Sequence, residues 1–143
     1  MIETIERVCA NLADRAYSAR HAAALIGELI EDPGFGLPLV VKPSDKEFSE
    51  GRIASRADEK ELSHVQLVVA DPALLTLASL AAAFGEYASP PRVHPDSPVR
   101  VVFRRDSAAV YATCAIIAEL GGSGEDLPSR PVLSVTIRPD ARD

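Results

Sequence analysis

The sequence predicts a single α+β domain, with two helices on one face of a mainly antiparallel sheet. Three observations lead there. Apolar residues recur at helical spacing through residues 1–31. Six later stretches are short and extended in character, and most alternate apolar with polar residues. The connections between them read as hairpin turns instead of long crossovers. With 143 residues the chain suits one domain spanning 1–143. Tryptophan is absent and only four phenylalanines and three tyrosines occur, so the core must rest on Leu, Val, Ile and Ala.

The first element is expected to be one long helix, 1–31. Ile2, Ile5, Cys9, Leu12, Ala16, Ala19, Ala23, Ile26 and Ile30 fall on one stripe. Glu3 and Arg7 stand four apart on the outer side, in the favourable order. Its length leaves room for a break near Tyr17-Ser18, and Asp32-Pro33-Gly34 ends it. Strands are expected at 37–42, 51–57 and 62–70. The charged turn Asp58 to Glu61 joins the last two as a hairpin. Asp71 precedes Pro72 and the apolar pattern Leu74, Leu77, Leu80, Ala81, Phe84, so it is expected to cap a helix that Gly85 ends. The segment 88–98 holds four prolines and is expected to be an irregular loop. Strands at 99–105, 108–120 and 131–139 follow, the last two joined by the flexible Gly-Gly-Ser-Gly stretch, and the tail 140–143 is expected to fray. The order is α-β-β-β-α-β-β-β, in outline a doubled αβββ unit.

Charge and cysteine content narrow the function classes. A net charge of −6, with twelve arginines among fifteen basic residues, disfavours nucleic acid and keeps a protein partner in view. No apolar run approaches the roughly 20 residues of a membrane span, and the amino terminus lacks a signal-type block. Cys9 and Cys114 are far apart, with no CxxC spacing, and are expected to be buried free thiols in a reducing compartment. A cytoplasmic protein follows from this, and the arginine- and alanine-rich composition suits a bacterial source.

Parity sorts the strand side chains into two faces. Val65, Leu67, Val69, Val101, Phe103, Leu133, Val135 and Ile137, with Cys114, Ile116 and Ala118, form an apolar face for the helices. The reverse is mixed and carries His64, Gln66, Arg100, Arg104, Tyr111, Thr113, Glu119, Ser134, Thr136 and Arg138, interspersed with Val68, Val102, Ala115 and Ile117. Such a face either meets water or binds something.

The run Leu62 to Pro139 reads β-α-β-β-β, with His64 opening its first strand and Glu119 near the end of a later one. In that order it resembles one module of the glyoxalase/vicinal-oxygen-chelate superfamily, which implies His64 and Glu119 as ligands of a divalent metal, with a second chain completing the site. The residues themselves make no metal signature. The stretch around Ser123 has neither a nucleophile elbow nor a phosphate loop, and His21 and His94 have no evident catalytic partner. No catalytic residue and no cofactor is therefore expected. The leading expectation is a small non-enzymatic interaction protein, an accessory, adaptor or toxin-neutralising immunity-type module, which binds a protein partner or a second copy through the mixed face. The alternative is a small-molecule or metal-binding protein, with a glyoxalase-like site formed across a dimer.

Overall fold

The computed structural model describes residues 1–12, 18–34, 36–55, 62–92, 94–106, 112–122 and 126–141. The described elements are α1 (Ile2–Asn11), α2 (Ala19–Ile26), β1 (Gly27–Glu31), β2 (Leu39–Pro43), β3 (Phe48–Ser55), β4 (Leu62–Val69), α3 (Leu77–Phe84), β5 (Tyr87–Ala88), β6 (Val99–Asp106), β7 (Ala112–Leu120) and β8 (Val132–Ala141). The strands form one antiparallel sheet ordered β1-β2-β3-β4-β8-β7-β6-β5. Each half is a four-stranded meander preceded by helix, and the halves meet where β4 pairs with β8. The doubled unit is thus αββββ, one strand longer than the sequence suggested.

Much of that extra strand comes from the end of the expected first helix. The expected single helix is two: α1 ends at Asn11, and α2 starts after Ser18, whose Oγ accepts from the His21 amide while its own amide donates to His21 Nδ1 in a capping box. Helix α2 ends at Gly27, and residues 27–31 turn into edge strand β1. Glycine is required there: a Cβ at residue 27 would lie 2.0 Å from the Lys42 carbonyl oxygen. Ile30, the last member of the predicted stripe, sits in a bulge of β1 and is exposed. The 3.6-residue pattern simply ran on into a strand whose apolar residues are not a core face.

Three further boundaries differ from expectation. Asp71 does accept a hydrogen bond from Ala73 N, but it caps a 3₁₀ turn, Pro72–Leu74, and leaves Leu74 exposed. The α-helix begins later, where Thr76 Oγ1 accepts from Ser79 N. A two-residue strand, β5, precedes the proline loop and includes Ala88. Asp140 and Ala141 do not fray, because they pair with Thr113 and Ala112. The predicted Asp58–Glu61 turn and the residues around Ser123 lie outside the described residues, although the pairing of β3 with β4 is the expected hairpin.

All three helices pack on one face. Ile26 of α2 lies over Gly51 beside Leu67 and Val41. Cys9 of α1 is bonded to Cys114. Phe84 of α3 meets Phe103 at 6.1 Å between ring centres, and Tyr87 meets it edge-on at 5.5 Å. Val65, Leu67, Val101, Phe103, Ile116, Val135 and Ile137 are fully buried beneath them. One predicted core position moves. Where Glu119 pairs with Ser134 and Leu120 with Val132, β8 carries a bulge at Leu133 that puts Val132 in the core and turns Leu133 out, against Gly121.

The cysteines also need correction. They are buried as expected, but they form a disulfide instead of standing as free thiols. A separation of 105 residues with no CxxC motif gives no local signal for such a bond. The fold alone brings their Cα atoms to 5.6 Å.

Candidate interaction face

Alternation along β2–β4 and β6–β8 leaves one set of side chains pointing away from every described helix. Register groups this set into rows. A central row runs Val40, Arg52, Gln66, Thr136, Ile117, Val102. On one side lies Glu50, Val68, Ser134, Glu119, Arg100. On the other lies Arg138, Ala115, Arg104, with His64 beyond Arg138 on the neighbouring strand. Thr113 stands in the next row, opposite Asp106 and Asp140. Eight of the ten residues singled out from sequence therefore share this face; Tyr111 lies outside the described residues, and of Thr113 only the strand pairing is described.

Chemistry is distributed unevenly over these rows. From Gln66 to Val102 the central row has no charge, and Gln66, Val68, Thr136, Ile117 and Val102 are all half-buried. Ala115 is fully buried although it points to this side, because arginines flank it in register on both neighbouring strands. Charges gather at the margins, where Arg100 Nη2 lies 3.3 Å from Glu119 Oε1 and Arg52 Nε 3.1 Å from Glu50 Oε2. Partly exposed pairs of this kind add little stability but set a polar border. Arg52, Glu50 and Val40 were missed from the sequence. The alternation of Gly51 and Ile53 with Arg52 and Ala54 was the signal that could have placed them.

His64 is a half-buried histidine of the face, opposite Arg138 on the neighbouring strand. Partial burial, and then the Arg138 guanidinium, lower its pKa below the ordinary 6.5. The folded chain thus prefers the neutral ring. The unfolded chain takes up a proton first as pH falls through about 6.5, so stability should decline from there and level off below the folded pKa. Melting curves between pH 7.5 and 5 should show a shallow loss that His64→Gln reduces; an identical loss in the variant would put its origin elsewhere.

His64 and Glu119 do not come together in one chain. They stand two strands and four residues apart on the face, roughly 16 Å by strand spacing, whereas metal ligands must lie near 2 Å from the ion. Among the described residues no three His, Cys, Asp or Glu side chains cluster as metal ligands. A cavity of about 490 Å³ lies elsewhere, at the edge of the helical layer. Ser18 and Arg20 at the start of α2, Asp32, Leu37 and Leu39 help line it, and Arg20 pairs with Asp32 across it. The sequence pattern concealed this cavity by reading α2 and β1 as one helix. The chain matches no family model, no curated protein and no solved structure, and no helix among the described residues is long and apolar enough to cross a membrane.

Proposed function

We propose that this chain is a small non-enzymatic interaction protein, an accessory, adaptor or immunity-type module, whose open sheet face binds a protein partner. The observation that carries the reading is the uncharged centre of that face. Val102, Ile117, Thr136, Gln66 and Val68 lie there in register, with ion pairs at the margin and no described element over them. A centre free of charge inside a polar rim matches the depletion of charged residues at the cores of protein interfaces. Six strands by about six residues give on the order of 600 Å² in projection, comparable with the ~800 Å² that each partner contributes to a standard complex. A bacterial source and self-association belong to the same proposal.

Arg104→Ala and Ile117→Glu should each weaken the complex with the native partner at least tenfold, with melting temperatures within a few degrees of wild type. Unchanged affinity in both variants would sink the reading. A second reading, small-molecule binding, draws on the cavity beside α2. Thermal shift with metals and metabolites checks it: a rise that Arg20→Ala abolishes supports the cavity, and one that His64→Ala abolishes supports a site on the face.

A further inference from the structure

Cys9 and Cys114 are the chain's two cysteines, and the bond between them joins α1 in the first half to β7 in the second. Helix α1 needs such a tie. It has ten residues and no side-chain N-cap bond, and a helix of that length is marginal alone. It is held by Ile5, Val8 and Leu12 in the core and by Thr4 Oγ1, which donates to Asp45 at 2.9 Å. The amino-terminal amine of Met1 adds ion pairs to Asp45 at 3.0 Å and Glu47 at 3.5 Å, and the disulfide is the covalent anchor among these contacts. Cys9 is 5% exposed and Cys114 1%, so a reductant reaches the sulfurs only when α1 lifts away.

We infer that Cys9–Cys114 is a permanent structural bond acquired in an oxidising compartment, and that the protein works there and not in a thiol-reducing cytoplasm. Buried disulfides are the reduction-resistant, structural kind, whereas exposed ones serve as switches. Such bonds are rare where thiols are kept reduced. Formation needs a thiol–disulfide oxidant. One cysteine thiolate attacks the oxidant's disulfide, giving a mixed disulfide and releasing one oxidant thiolate. The second cysteine thiolate then attacks the chain's own sulfur in that mixed disulfide and closes Cys9–Cys114. Two electrons and two protons pass to the oxidant, which leaves as a dithiol. This inference is independent of the open face, but it places any partner in the same compartment.

The test begins in the native cell, with acid quenching, alkylation of free thiols and peptide mapping without reductant. The expected result is a linked Cys9–Cys114 peptide and little alkylated cysteine. Reducing the purified chain with a phosphine should lower its melting temperature by roughly 10–15 °C, as expected for opening a loop of about 100 residues in a domain of this size. The double variant Cys9→Ala/Cys114→Ala should melt at the reduced temperature whether or not reductant is present. Alkylated Cys9 and Cys114 in the native chain would overturn the compartment. An unchanged melting temperature after demonstrated reduction would overturn the structural role.

Discussion

Gly27→Ala should destabilise the domain by about 3–5 kcal/mol, among the largest effects of a single substitution, and lower its melting temperature by about 10 °C or more. The reason is steric and falls on backbone. The added methyl would sit 2.0 Å from the Lys42 carbonyl oxygen and 2.8 Å from the Ser44 amide, and no rotamer change relieves either contact. Relief requires β1 to move off β2, which breaks the pairing of Gly27 with Pro43 and Glu28 with Lys42 and the 2.9 Å bond from Ser44 N to Ile26 O. Gly51→Ala is the control. Its methyl would meet Leu67, Val41 and Ile26 side chains at 3.5–3.7 Å, ordinary contact, so a change under about 1 kcal/mol is expected. Denaturant unfolding of both variants checks the pair. Equal costs would show that the helix-to-strand corner at Gly27 is not closely packed.

Phe103→Ala should cost about 3–5 kcal/mol, the usual range for emptying a buried aromatic site. Phe103 is fully buried, packs against Phe84 and Tyr87, and lies in register with Ile116. Its loss leaves a cavity between α3 and the sheet that short alanine-rich α3 has few side chains to fill. Its neighbour Val102 points the other way and is only half-buried, so Val102→Ala should cost less than about 1.5 kcal/mol. The contrast between adjacent residues measures the two-sidedness of the sheet. Similar losses at both positions would mean that the open face is also core.

That two-sidedness was legible in the sequence because strand alternation is local and survives errors at element ends. Val65/Leu67 against His64/Gln66, and Val101/Phe103 against Arg100/Arg104, needed nothing beyond parity. The Gly27 corner was not legible, since Ile26 and Ile30 continue a helical period and one glycine inside such a pattern is ordinarily tolerated. Leu133 was misplaced because it is itself the extra residue of a bulge in β8, which shifts that strand's parity between Ser134 and Val132 and leaves no mark in composition. The disulfide and the β4–β8 junction are contacts between distant segments, which only the assembled fold reveals. The candidate face inherits the same division: its members were readable strand by strand, whereas their grouping into an uncharged centre and a charged margin required the register.

Hydroxyl-radical footprinting of the chain, alone and bound to its native partner, tests the proposed face most directly, because it reads side chains. Val68, Val102 and Ile117 should lose reactivity in the complex, while exposed Leu74 and Leu37 on other surfaces keep theirs. Protection confined to Leu37 and the cavity beside α2, with Val102 and Ile117 as reactive as in the unbound chain, would contradict a partner seated on the open sheet.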